Sequence, residues 1–257
     1  MSSTGGSVQS LDRALALLEE LAENDRGLTL TELSERTRLH KTTVHRLLAT
    51  LQDRRFVTRN ADTGRYGVGL KVLEIGQAVR RQVAPSALVR RQLTQLRDAS
   101  GETCHYAVPA DGQMVYVEKI ESRQTVRIAS EVGDHLELYC TALGKAYLAH
   151  RLEPEVVAYL SAGPFARKTE RTLCSPSELD KAIRRVRNTG YAVDDRENEE
   201  EIRCVGAAVR DSNGLAMGAV SLSAPVSRLP LGRVPVVGDL VISCADAIAT
   251  EMFGIPA

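Results

Sequence analysis

The stretch from Thr29 to Leu51 constrains the fold more than any other part of the chain, because two helical periodicities and a turn are compressed into it. Val44, Leu47, Leu48 and Leu51 recur at i, i+3, i+4 and i+7, which on an α-helix makes one apolar stripe that must bury. Thr42, Arg46 and Ala49 then point the other way, with Thr43 and His45 on the flanks and Lys41 in the first turn. Upstream, Leu30 and Leu33 form a shorter stripe, and Thr29 with Glu32 has the spacing of a capping box. Arg36 to His40 leaves room only for a sharp turn between the two helices. This arrangement fits a helix-turn-helix, whose second helix lies in the DNA major groove. A solvated surface helix pair would fit the same residues, so the flanking sequence decides.

On the N-terminal side, Ser10 to Glu23 reads as an amphipathic helix with Ser10 as N-cap and Leu11, Leu15, Leu18 and Leu21 on one face, stopped by Asn24-Asp-Arg-Gly. On the C-terminal side, Phe56 to Thr58 and Arg65 to Val68 read as two strands around an Asn/Asp/Gly turn, a hairpin carrying Arg54, Arg55, Arg59 and Arg65. Three helices followed by a basic hairpin define a winged helix, whose wing is expected to reach the phosphate backbone or the minor groove. The charge distribution agrees. The whole chain is neutral, but residues 36–65 hold 8 Lys/Arg against 2 Asp/Glu. A local excess of this size attracts phosphate and makes binding salt-dependent. The expected reading surface is Thr42, Thr43, His45 and Arg46, with Lys41, Arg59 and Arg65 for phosphate.

Leu70 to about Gln82 is helical by pattern until Pro85 breaks it, which suggests a linker helix at a domain boundary. Another helix is expected from Ala87 to Ala99. The pattern then changes. Tyr106 to Pro109 and Met114 to Ile120 flank Ala110-Asp-Gly-Gln as a hairpin, and Thr125 to Ala129 alternates like a further strand. Helices are expected from Thr141, from Pro154 to Leu160 and from Ser175 to Thr189. Strands follow at Tyr191 to Val193, Arg203 to Val209 and Ala216 to Ser223, and Val236 to Phe253 closes as an apolar helix. That order suits a sheet with helices packed on it.

The remaining composition removes several classes. No apolar run approaches the roughly 18 to 20 residues of a membrane span, and the polar N-terminus lacks a signal-peptide core, so a cytoplasmic location without membrane contact is expected. The five cysteines, Cys104, Cys140, Cys174, Cys204 and Cys244, never form a Cys-x-x-Cys pair, which argues against a disulfide framework or a zinc site and for reduced thiols. No metal and no cofactor are expected. Ala142-Leu-Gly-Lys145 lacks the spacing of a phosphate loop, although a helix start there could hold a small carboxylate. The acidic run Asp194 to Glu201 reads mostly as a solvated loop. Cys204 has no defensible base in the sequence, so an enzyme is not expected. The rival readings are a C-terminal domain that turns over its ligand with Cys204 as nucleophile, and a structural DNA-binding protein blind to ligands.

Six motifs, in order, resemble the IclR family of bacterial transcriptional regulators: Ser7-Val-Gln-Ser-Leu-Asp-Arg-Ala-Leu, Lys41-Thr-Thr-Val-His-Arg-Leu-Leu, Tyr66-Gly-Val-Gly, Cys140-Thr-Ala-Leu-Gly-Lys-Ala-Tyr-Leu-Ala, Tyr191-Ala-Val-Asp-Asp and Arg203-Cys-Val-Gly-Ala. The resemblance runs from about residue 7 to the C-terminus. It implies an α+β chain with a winged helix-turn-helix over 1–69, a linker helix over 70–84 and a GAF-like α/β effector-binding and oligomerisation domain over 85–257. It further implies a homodimer or dimer of dimers on double-stranded DNA at a pseudo-palindromic operator. Carried over residue by residue, its effector site falls on Ala142, Leu143, Asp194, Cys204, Ser221 and Ser223, with Ile128 and Leu136 as apolar wall. A small carboxylate or an aromatic catabolite is the expected effector. Glu201 and Ala208 stand where many members have Gly and Pro, which leaves the shape of the loop before the Cys204 strand open.

Overall fold

The computed structural model describes residues 8–83 and 86–254. The chain divides into two compact units, one ending at Val79 and the other beginning at Arg80.

In the first unit, α1 (Gln9–Ala22), α2 (Leu30–Thr37) and α3 (Lys41–Asp53) pack on one another, and β1 (Val57–Arg59) pairs antiparallel with β2 (Tyr66–Val68). The core is Leu17, Leu21, Leu33, Val44, Leu48, Val57 and Tyr66. On α1 the buried face differs from the expected one: Leu17 and Leu21 are buried, whereas Leu11 and Leu15 are about half exposed. Leucines at 11, 15, 17, 18 and 21 offer two overlapping stripes, and only the one that meets α2 and α3 buries. The helix also starts two residues earlier than a Ser10 cap implies, with Val8 as N-cap. The capping box at Thr29 and Glu32 is complete in both directions. The turn after α2 closes on Arg38 in the left-handed conformation (φ 55°).

Helix α4 (Leu70–Val83) follows the wing. The second unit is built on a six-stranded antiparallel sheet of order β5-β4-β3-β8-β7-β6. Its strands are β3 (Thr103–Ala110), β4 (Gln113–Ile120), β5 (His135–Leu136), β6 (Ala192–Asp195), β7 (Ile202–Arg210) and β8 (Ala216–Pro225). Asp111 and Gly112, both with positive φ, make the tight β3–β4 turn. One face of the sheet carries α5 (Ser86–Ser100) and the long apolar α9 (Val234–Phe253), which enclose Val89, Leu93, Tyr106, Leu222, Val241 and Ile248. The other face carries α6 (Ala142–Ala149) and α8 (Pro176–Thr189), with α7 (Glu153–Ser161) beside α8. Met114, Leu143, Leu179 and Ile183 fill that layer.

Thr125 to Ala129 is not a strand but part of a loop between β4 and β5. Alternation over five residues cannot create a ladder partner, and the edge of β4 is already occupied by His135 and Leu136. Val126 is exposed, and Arg127 pairs with Glu121.

Candidate functional site

Two regions stand out, one in each unit. In the first, α3 buries Val44 and Leu48 and exposes Lys41, Thr42, His45, Arg46 and Ala49, with Thr43 half-buried. Among the described residues, Lys41, Arg46 and Arg59 form no ion pair. An uncompensated cation on an exposed helix face is available to phosphate or to a guanine edge. Arg59 stays exposed in the wing, its Nε donating to the carbonyl of Gly64 and its guanidinium lying 5.3 Å from the Tyr66 ring.

Arg65 departs from expectation. Its Nη1 donates to the carbonyl of Gly27 at 2.8 Å and to Glu32 at 3.1 Å, and Nη2 reaches the other Glu32 oxygen at 3.3 Å. Glu32 is the carboxylate that caps α2, and its acidity is strengthened first by the hydrogen bonds of Thr29 and then by Arg65. The guanidinium therefore braces the wing to the start of α2 instead of standing free for phosphate. Gly27 is required at this junction: with φ +66° and a Cβ position 2.5 Å from the Tyr66 carbonyl, no other residue fits without a shift.

In the second unit, a cavity of about 250 Å3 lies between the α6 face of the sheet and the β4–β5 loop. All eight residues expected at an effector site line it. Strand register explains how distant residues meet. Cys204 pairs with both Asp194 and Ser223, and Ser221 pairs with Gly206 and His105. Because side chains alternate, Asp194, Cys204, Ser223 and Ser221 rise from one face as a polar floor. Ala142 and Leu143 open helix α6 at the wall, and first-turn N–H groups have no acceptor within their own helix. Gly206 lets this helix start sit on the sheet, since a Cβ there would lie 3.2 Å from the Ala142 carbonyl. Ile128 and Leu136 supply the apolar side.

The floor is dry enough to shift its acids. Burial raises the Asp194 carboxyl from 3.8 to about 7, against the pull of Lys145, and Asp194 also accepts the Glu197 N–H at 2.7 Å. The Cys204 thiol is pushed well up by burial and by Asp194, and its side-chain partner is Ser223. His105, fully buried, is held neutral with its pKa lowered to about 3 by burial and then by Lys119. Its ring stacks on Tyr116 at 4.3 Å, and Nε2 meets the Ser130 hydroxyl at 2.9 Å. Lys119 Nζ donates to the Ser130 carbonyl at 2.6 Å, so the β4–β5 loop is tied to the sheet from two sides.

Tyr116, Ser130, Asn198 and Glu199 also line the cavity and were not expected there. Tyr116 was within reach of sequence reasoning, because it lies two residues from Met114 on the same face of β4. The loop residues carry no periodicity that could have located them. The acidic run also proves less solvated than its composition suggests: Asp194 and Glu197 are buried, and Lys145 pairs with Glu197. All five thiols are free. Among the described residues, no group of three or more His, Cys, Asp or Glu could hold a metal, and no helix is long and apolar enough to cross a membrane.

A basic-faced winged helix joined in one chain to an α/β unit with a small pocket on a polar floor defines a ligand-responsive DNA-binding regulator. A model of the IclR helix-turn-helix domain matches residues 10–61, and one of the bacterial transcriptional regulator IclR C-terminal region matches residues 78–250. The chain belongs to the IclR family of transcriptional regulators. It is 33% identical to the acetate operon repressor of Salmonella typhimurium over 97% of this chain and 92% of that one. The crystal structure of the Thermotoga maritima IclR is similar at a TM-score of 0.83 and 28% identity, covering 96% of this chain and 99% of the other. An IclR homolog from Microbacterium hydrocarbonoxydans, crystallised with 4-hydroxybenzoate, shares the fold at a TM-score of 0.83 and 18% identity over 95% and 98% of the two chains.

Proposed function

We propose that the regulator senses a compact carboxylate in the cavity over Asp194, Cys204, Ser221 and Ser223. The observation that carries this reading is the convergence of a buried hydroxyl floor with the start of α6 in one small pocket. Helix N-termini and hydroxyls favour a carboxylate, and Ile128 and Leu136 limit its tail. At about 250 Å3 the cavity is smaller than the roughly 300 to 1,000 Å3 of pockets for drug-sized ligands, which favours a short acid or a single aromatic ring. The 4-hydroxybenzoate bound to the Microbacterium homolog falls within that class.

In this reading Thr42, Thr43, His45 and Arg46 face base edges, Lys41 and Arg59 face phosphate, and Arg65 acts on DNA only through the wing it braces. The functional boundaries are 1–69 for DNA binding, 70–84 for the linker helix and 85–257 for effector binding and assembly. The protein works in the cytoplasm as a homodimer or dimer of dimers on a pseudo-palindromic operator. The exposed apolar side chains of α1 and α4, among them Leu11, Leu15, Leu70 and Leu73, support assembly. It is a sensor rather than an enzyme: a thiol with a raised pKa is a poor nucleophile, and no histidine bonds to Cys204 among the described residues.

The test is fluorescence anisotropy on the chain's own upstream DNA at two salt concentrations, with a panel of small carboxylates. Sequence-selective, salt-dependent binding that one acid shifts supports the reading. Equal affinity for random DNA refutes it.

A further inference from the structure

The effector cavity is lined by acids. Asp134, Asp194 and Glu199 border it, and among the described residues no Lys or Arg does. A carboxylate entering such a space meets like charge unless one of the acids carries a proton.

Geometry selects the acid and the oxygen. Asp134 and Glu199 are exposed, so water and salt screen them, whereas Asp194 is 2% exposed. Oδ1 of Asp194 accepts the N–H groups of Glu197 at 2.7 Å and Asn198 at 3.4 Å, so a proton on this carboxyl belongs on Oδ2. Oδ2 accepts no hydrogen bond among the described residues, yet it keeps accessible surface, which Oε2 of Glu197 does not. Because Asp194 lines the cavity, that surface opens there.

The groups around Asp194 leave this proton in place. On α6, Lys145 lies outside the cavity lining, and its ammonium is paired to Glu197. The Cys204 thiol on β7, the Tyr116 phenol on β4 and the Cys140 thiol before α6 are all pushed up by burial and stay neutral. His135 on β5 is exposed at the cavity and bonds Gln113 at 3.2 Å, which makes it the other group whose charge an entering anion would meet.

We propose that Asp194 receives the effector as a neutral acid, its Oδ2 proton bridging to one oxygen of the effector carboxylate, so that the sensor responds to pH and metabolite together. This rests on the carboxylate reading of the cavity. Two carboxylates that share one site share one proton. The effector's charge raises the affinity of Asp194 for that proton, so the occupied site holds it to higher pH than the empty one. Where the empty site has ionised, each effector bound takes one proton from solvent, and its affinity falls about tenfold per pH unit. Below that range affinity is level.

The test is isothermal titration calorimetry of the full chain with propionate, benzoate and 4-hydroxybenzoate from pH 5.5 to pH 8.5. Affinity for an acid that binds should be level up to pH 6.5 and fall about tenfold per unit above pH 7.5. Heats in Tris and in HEPES at pH 8 should differ by the uptake of close to one proton per acid bound. Benzamide, the neutral counterpart of benzoate, should show no such fall. Asp194→Asn, which keeps an acceptor for both N–H groups and turns a non-titrating amide donor to the cavity, should bind with a level profile and overtake the wild type at pH 8.5. Where that variant does not fold, the proton count on the wild type decides. His135→Gln should retain the slope, and its loss in that variant would move the proton to His135 and overturn the assignment. Binding with level affinity and no proton uptake overturns the linkage and leaves the carboxylate reading standing. No binding of any of the three acids at pH 6 overturns the carboxylate reading, and the linkage with it.

Discussion

Asp194→Asn tests whether the pocket floor holds a proton at neutral pH. The native carboxyl titrates near 7, whereas an unfolded aspartate titrates near 3.8. Between those values the native state keeps a proton that the unfolded state has released, so stability falls as pH rises through the window and is level above it. At 1.36 kcal/mol per pH unit, the full rise corresponds to about 4 kcal/mol, of which about 2 to 3 kcal/mol lies between pH 5 and pH 8. Asparagine keeps an oxygen for the Glu197 N–H and does not titrate. The difference in stability between wild type and variant, measured by urea unfolding at each pH, isolates this one group because the other acids cancel. Circular dichroism is the suitable probe, since the chain has no Trp. The wild type should lose about 2 to 3 kcal/mol relative to the variant from pH 5 to pH 8. Parallel curves would mean that Asp194 is ionised throughout, and the dry-floor account of carboxylate binding would fall with it.

Four further outcomes follow from the same geometry. Arg46→Ala should relax sequence preference at one operator position by about 1 to 3 kcal/mol in competition binding; equal loss on random DNA would make Arg46 a phosphate contact. Arg65→Ala should lower the melting temperature of the first unit and leave the salt dependence of DNA binding unchanged, and a salt slope smaller by about one would restore it as a phosphate ligand. Gly144→Ala places a Cβ 2.3 Å from the Leu138 Cα and should destabilise the second unit by about 1 to 3 kcal/mol in urea. Cys204 should resist iodoacetamide at pH 7.5 in the folded protein, checked by mass spectrometry; rapid alkylation would return the nucleophile hypothesis to consideration.

Long, strongly periodic elements were legible in the sequence. The α3 stripe, the capping box at Thr29 and the Asp111-Gly112 turn are local signals, and each occurs where its chemistry requires. What the sequence hid was partnership. Arg65 could not be seen turning inward, because Glu32 is 33 positions away and a wing arginine looks the same free or paired. Asp194 to Glu201 looked solvated because its counter-charge, Lys145, sits on another element 52 positions before Glu197. The pocket residues came from a family likeness and not from any pattern within them, since only strand register brings Asp194, Cys204 and Ser223 into one row.

Strand order also sets a timetable for synthesis. The hydrophobic core of the first unit is drawn from Leu17 to Tyr66, so it can close soon after leaving the ribosome. The second unit cannot. β8 forms the seam between β3 and β7, and its register joins Cys104 to Leu222, more than a hundred residues later. Helix α5 waits longer still for α9, which brings Glu251 to Arg91. Until those residues emerge, the nascent chain exposes the apolar faces of β3, β4 and α5, a state prone to aggregation. A transcript interrupted before residue 216 would therefore release a finished DNA reader attached to an unfinished sensor.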